Sequence, residues 1–268
     1  MEENIKKGNN LLIIFLIVIL GLSIAYICYL KGYFNNTYKT ENTSSNILSS
    51  DEINKLGENL YYKTSTDYLY TNELVTYDSI KNADKLNIAY EMIPNKFITN
   101  YVISTSDFDE NGNATKYSKQ VSTNIFNLTY FNIFGEDKKI TYEEFVPDNL
   151  LETCRFETDN LRCYQQSEGG DVMEYLIYRK YAGAKENEDG SIVVNVNYLK
   201  YDFAKGIYSD PKETNKIDAG DSLKNIDYTT INDEIMFNKY GSKAGLFNVT
   251  FKKDTLGNYY WVSSEFVK

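Results

Sequence analysis

The sequence predicts an α+β protein: an N-terminal transmembrane helix, then helices packed on a curved antiparallel sheet. Three observations carry this expectation. Residues 11–30 are apolar and uncharged, segments between residues 49 and 134 repeat their apolar positions at helical spacing, and from Cys163 onward the apolar residues recur at every second position. Helices first and long strands last is the element order of an α+β domain rather than of a parallel βαβ sheet. With 42% hydrophobic and 25% charged residues among its 268, the chain has the composition of a protein that packs a core.

The apolar run begins at Leu11, ends at Leu30 and reads LLIIFLIVILGLSIAYICYL. Its twenty residues reach about 30 Å as a helix, the thickness of a bilayer's hydrocarbon core. A cleavable signal peptide has a shorter apolar stretch, about 7–15 residues, and a small-x-small site after it. No such site follows here, so the run reads as an uncleaved signal anchor in contact with the lipid bilayer. Tyr26 and Ile27 precede Cys28 where a lipoprotein signal has small residues, so Cys28 reads as a buried thiol. Residues 1–10 form a tail. Residues 31–48 (KGYFNNTYKTENTSSNIL) are polar and aperiodic, the composition of a flexible stalk with a root-mean-square reach of roughly 23 Å, and residues 49–268 form the domain beyond it.

Lys6 and Lys7 before the run are matched by Lys31 and Lys39 after it, so the positive-inside rule does not orient the chain. The cysteines do. A two-residue turn at Thr158-Asp159 pairs Glu157 with Asn160, Phe156 with Leu161, Arg155 with Arg162, and Cys154 with Cys163. Counted out from the turn, the cysteines form a non-hydrogen-bonded pair with Cα atoms about 4.5 Å apart, which suits a disulfide. Such bridges persist in oxidising compartments. The expected topology is therefore single-pass in the plasma membrane, with the N-terminus cytoplasmic and residues 31–268 outside.

Within the domain, the capping box Ser49-x-x-Glu52 opens a helix with Ile53, Leu56 and Leu60 on one stripe. A second helix is expected from about residue 79 to 93, with Leu86, Ala89, Tyr90 and Ile93 buried and Pro94 as its stop. Between Tyr117 and Phe134, Val121, Ile125 and Leu128 keep helical spacing and Gly135 suits a helix end, while the aromatic and β-branched content favours a strand. Thr141-x-x-Glu144 is another capping box, limited by Pro147 to about one turn. Farther on, the turn at residues 186–190 joins two strands of about ten residues. In the second, Val194, Val196 and Tyr198 give way to Leu199, Tyr201 and Phe203, a change of parity that predicts a β-bulge near Tyr198. Phe247, Val249 and Phe251 alternate with polar residues, and after a turn at residues 254–258 comes a last strand carrying Tyr259, Tyr260, Trp261 and Val262. This order resembles the extracytoplasmic NTF2-like or cystatin-like domains of membrane-anchored proteins of low-GC Gram-positive bacteria, over roughly residues 50–268. The resemblance implies a cone-shaped α+β domain and transfers no catalytic residue.

The chain has no histidine, which removes Ser-His-Asp and Cys-His nucleophile systems and imidazole metal sites. A formal charge of −10 opposes nucleic-acid phosphates. Asp107, Asp109, Asn111 and Asn113 stand at the odd positions of a calcium-type loop with Gly112 sixth, but the twelfth position is Ser118 instead of glutamate, so only weak calcium binding is expected and no other cofactor. Ser209-x-x-Lys212 has the spacing of penicillin-binding enzymes without an accompanying Lys-Thr-Gly, and Pro211 suits a turn better. All three arginines, Arg155, Arg162 and Arg179, fall within 25 residues. Their guanidinium forks suit a carboxylate or phosphate ligand, with Glu157 and Glu168 as the internal partners that would otherwise satisfy them. Twenty-five tyrosines can present stacking faces to sugars or proteins. No catalytic residue stands out. These features imply an extracytoplasmic binding or interaction protein of the cell envelope whose partner is an envelope protein or a wall polymer; the alternative is a wall-active hydrolase using Asp and Glu alone.

Cys154→Ser is expected to lower the stability of the outer domain by about 2–4 kcal/mol under oxidising conditions, read by urea unfolding. Two free thiols at positions 154 and 163 in native-host protein, seen by non-reducing mass spectrometry, would contradict the bridge.

Overall fold

A computed structural model describes residues 48–64, 66–112, 114–147, 152–165, 174–221, 223 and 228–268. The expected tail, transmembrane helix and nearly all of the stalk, residues 1–47, lie outside the described residues. Among the described residues no helix is long and apolar enough to cross a membrane.

Residues 48–268 form one unit of α+β architecture in which, among the described residues, every strand pairing is antiparallel. Its helices are α1 (Ser50–Tyr61), α2 (Asn82–Glu91), α3 (Thr123–Phe134) and α4 (Asp233–Tyr240). One seven-stranded sheet contains β1 (Val75–Thr76), β6 (Tyr175–Glu186), β7 (Ile192–Asp202), β8 (Gly206–Tyr208), β9 (Lys216–Asp218), β10 (Gly245–Lys253) and β11 (Tyr259–Phe266), in the order β1-β11-β10-β7-β8-β9 with β6 on the other edge of β7. A second sheet has the order β2-β3-β5-β4, from β2 (Thr99–Asn100), β3 (Lys119–Ser122), β4 (Glu152–Glu157) and β5 (Asn160–Gln165). The described residues thus form two antiparallel sheets where one was expected, because the cysteine hairpin joins β3 instead of the long strands after it.

α1 starts as its capping box requires: the Ser49 hydroxyl accepts from the Glu52 N–H, and the Glu52 carboxylate accepts from the Ser49 N–H at 2.9 Å. It docks on β6 through Gly57 and buries Leu60 in the main core, while the Tyr61 hydroxyl donates to the Arg179 carbonyl at 2.8 Å. Opposite it, β6 carries a bulge between Tyr181 and Gly183. The extra residue brings Tyr181 and Ala184 onto the same face, where the Tyr181 hydroxyl donates to the Asn54 carbonyl at 2.9 Å.

The change of parity in β7 has a different origin from the expected bulge. The strand keeps its register past Tyr198, but Ile192, Val194, Val196 and Tyr198 enter the main core whereas Leu199 and Tyr201 enter a smaller one with Met236, Phe237 and Tyr240 of α4. β7 changes cores instead of register, so both of its faces are apolar at the junction.

The segment from Tyr117 to Phe134 contains both a strand and a helix. Ser122 ends β3 and caps α3, its hydroxyl accepting from the Asn124 N–H at 3.3 Å, and Gly135 follows at φ +100°, a conformation open to glycine. The stripe Val121, Ile125 and Leu128 therefore spans a junction. Val121 is buried in the sheet, Leu128 is 60% exposed, and the buried helix face is Phe126, Tyr130, Ile133 and Phe134. The turn of helix expected at Thr141 is absent. Instead the Thr141 carbonyl accepts from the Asn82 side chain, and Phe145 exchanges two backbone hydrogen bonds with Cys154, of 3.0 and 2.8 Å, alongside β4.

A Cβ at Gly57 would stand 2.3 Å from the Cβ of Ala184. Alanine gains about 1 kcal/mol in helix propensity, but overpacking against a strand residue costs about 1–3 kcal/mol, and contact wins. Gly57→Ala should lower the urea midpoint, and Ala184→Gly added to it should recover part of the loss.

Candidate binding site on the four-stranded sheet

The hairpin β4–β5 has the register read from the sequence: Glu157 faces Asn160, Phe156 faces Leu161, Arg155 faces Arg162 and Cys154 faces Cys163. The cysteines are bridged, with Cα atoms 4.0 Å apart, and both are buried. Alternation divides the hairpin into two faces. Cys154, Leu161 and Cys163 belong to the main core, with Phe156 packed against it. Thr153, Arg155, Glu157, Arg162 and Tyr164 point the other way.

On that outer face, two guanidinium groups at directly opposed positions would repel each other. Glu157 removes the conflict. One carboxylate oxygen accepts from Arg155 Nε and from the Tyr164 hydroxyl, and the other accepts from Arg162, each at 2.7 Å. The Tyr164 hydroxyl first, then the two arginines, overcome the opposing effect of burial and bring the Glu157 carboxyl down to about 2. Aromatic rings carry the remaining positive charge: Arg155 lies 4.1 Å over the Tyr164 ring and Arg162 4.5 Å over the Tyr117 ring. Tyr117 packs edge-on against Tyr101 at 4.8 Å and Tyr164 at 6.3 Å, and Gln120 accepts from Arg162 Nε at 3.1 Å. The result is a braced stripe of tyrosine, arginine and amide side chains.

Beside Arg155 the stripe borders a groove of about 510 Å³ lined by Asp109, Ala114, Thr115, Glu144, Thr153, Arg155, Tyr164 and Gln165. The loop after the 3₁₀ turn Thr105–Asp107 supplies one wall and the segment carrying Phe145 supplies Glu144.

The three arginines do not form one site. Arg155 and Arg162 meet on this sheet, but Arg179 lies in β6 of the other one, 3.2 Å from Asp67 and 4.9 Å over the Tyr70 ring. Closeness in sequence failed here because consecutive strands enter different sheets. Glu168 and Asn113 lie outside the described residues. In the calcium-type loop, Lys116 first and Ser104 next hold the Asp107 carboxyl down to about 2: Lys116 takes one oxygen, and the Ser104 N–H and hydroxyl take the other. Asp109 accepts from the Asn111 N–H at 2.9 Å, closing an Asx turn. A lysine ammonium thus occupies the carboxylate a metal would use, and among the described residues no three His, Cys, Asp or Glu side chains are grouped to hold a metal ion. In the Ser209-x-x-Lys212 segment, Ser209 donates to the Asn215 carbonyl at 3.5 Å and Lys212 pairs with Glu73 at 3.0 Å. Buried Asp210 organises this loop by accepting from Thr214 and Asn215, so the serine and lysine have no shared role.

Tyr164 and Thr153 could have been placed beside the arginines from hairpin parity. Tyr117, Tyr101 and Glu144 could not, since they arrive from other parts of the chain. The chain matches no family model, no curated protein and no solved structure. Roles for these residues therefore rest on their own geometry.

Because the folded Glu157 carboxyl titrates at about 2, below its ordinary 4.5, its contribution to stability is complete above about pH 4.5 and is lost as pH falls toward 2. Glu157→Gln should lower the melting temperature at neutral pH and flatten its fall across that interval. Parallel curves for the two proteins would contradict the clamp.

Proposed function

We propose that this is a single-pass membrane protein whose extracytoplasmic domain binds a polymer of the cell envelope through the outer face of its four-stranded sheet, without catalysis. The observation that carries the reading is the braced stripe itself. Arg155, Arg162 and Tyr164 are held in position by Glu157 and Gln120, with the Tyr117 ring under Arg162, yet all four remain partly exposed beside a groove. Preorganised aromatic and hydrogen-bonding side chains next to a concavity are the features of a ligand site. Anchoring is supported by the uncharged run at residues 11–30, and an outer location by the disulfide. A polymer fits better than a protein partner because the groove is lined largely by polar and charged side chains, which the centres of protein interfaces lack. An acid-only hydrolase is the second reading, favoured by Asp109 and Glu144 lining one groove.

The test uses cells expressing the full chain with Thr99→Cys, on the exposed outer face, or with Leu256→Cys, in the exposed β10–β11 turn. A membrane-impermeant maleimide photocrosslinker is added to intact cells. Irradiation should retain the Thr99→Cys protein, but not the Leu256→Cys protein, in the purified wall fraction. Lack of labelling at both positions would overturn the outward orientation, and capture of a single protein would overturn the polymer. Soluble fragments released from wall material and lost with Glu144→Gln would install the hydrolase in its place.

A further inference from the structure

We infer that the groove beside Arg155 receives an uncharged, hydroxyl-rich glycan chain and discriminates against polyanions. This rests on the polymer-binding reading of the same surface and names the chemistry of the polymer.

Charge comes first. Among the described residues that line it, the groove has two carboxylates, Asp109 and Glu144, and one guanidinium, Arg155, a net −1 in a chain of net −10. A phosphate- or carboxylate-bearing polymer would meet repulsion from the wall and from the field of the whole protein. The second arginine of the stripe does not reverse this, since Arg162 is not among the residues that line the groove and is already paired with Glu157.

Hydrogen-bonding capacity comes second. A sugar hydroxyl both donates and accepts, so a glycan needs acceptors and donors facing each other across a narrow space. The exposed Glu144 carboxylate supplies acceptors, while the Arg155 fork and the Gln165 amide supply donors. Glu157 holds Arg155 by its Nε and Tyr164 by its hydroxyl, so the donor wall is fixed before a ligand arrives and little side-chain entropy is lost on binding.

Shape comes third, and it argues against a peptide. A peptide would bind by adding a strand to an open edge or by filling apolar pockets. Beside β4, Phe145 already takes the backbone groups of Cys154, and among the described residues Ala114 is the sole aliphatic one lining the groove. A volume of about 510 Å³ lies within the range of small-ligand pockets, roughly 300–1,000 Å³.

The experiment is calorimetry on the full-length chain in detergent micelles. The probes are a neutral oligosaccharide of β-1,4-linked N-acetylglucosamine and, as the polyanion, poly(glycerol phosphate). The neutral oligosaccharide should bind with an affinity that barely changes with added salt, and the polyanion should not bind. Glu144→Gln, an isosteric change at an exposed position, should weaken binding about tenfold or more, as should Arg155→Lys, which keeps the charge but loses the fork. Preferential binding of the polyanion, a steep loss of affinity with salt, or full affinity in the Glu144→Gln and Arg155→Lys proteins would overturn the inference. If the chain crosslinks to wall material from position 99 but ignores the neutral oligosaccharide, the ligand class is wrong and polymer binding stands. If both fail, the surface itself is not the binding site.

Discussion

The architecture depends on one apolar helix packed between two sheets. α3, TNIFNLTYFNIF, has no charged side chain, and Phe126, Tyr130 and Phe134 are fully buried. Phe126 packs at 5.0 Å on Phe156 of the hairpin and Phe134 at 6.0 Å on Trp261 of β11, so one helix contacts both sheets. Burial of each such ring is worth about 1.5–3 kcal/mol. A helix with this much apolar surface cannot be satisfied by one sheet, and the consequence is a single main core contributed by both. The Tyr130 hydroxyl, the one polar group of that trio, meets the Tyr77 hydroxyl at 2.8 Å. The hairpin is thereby pinned with its cysteine face inward, which alone leaves the Arg155 face outward.

Two unlike interactions then hold the same pair of strands from opposite sides. Inside, the disulfide locks the register; outside, Glu157 gathers two arginines and a tyrosine. A slip by one residue would exchange the faces, placing guanidinium groups in the core and separating the cysteines, so few strand pairs are as strongly specified. The turn shows how strong that specification is. Thr158 sits at φ +53°, a conformation that costs a β-branched residue energy, because the primed turns that match strand twist need positive φ at their first central position. Flanking constraints on both faces hold it there.

On the larger sheet, the bulge in β6 and the change of cores in β7 serve related ends. The bulge brings Tyr181 and Ala184 together under α1, where the glycine at position 57 allows close approach. β7, paired on both edges, carries apolar residues on both faces near Tyr198 and Leu199, so it belongs to the main core and to the smaller one under α4. Strict alternation is a signature of strands with one wet face. A strand covered on both sides loses it without any irregularity in its ladder.

The sequence by itself determined whatever depends on neighbours along the chain. These were the capping box of α1, the stop of α2 before Pro94, the long hairpin around residues 186–190, and the register and bridge of the cysteine hairpin, where a two-residue turn leaves one pairing. It also set Arg155 against Arg162. Tertiary structure alone decided which sheet each strand joins, and so separated Arg179 from the other two arginines and divided the strands between two sheets. It decided that the stripe through Val121 and Leu128 would be cut at Ser122, that the Thr141 capping box would give way to pairing beside Cys154, and that Tyr117, Tyr101 and Glu144 would complete the outer face. The physical reason is the range of the forces involved. Caps, turns and alternation act between residues a few positions apart, whereas the competition for apolar surface, which chose α3 as the shared wedge, is resolved only when distant segments meet.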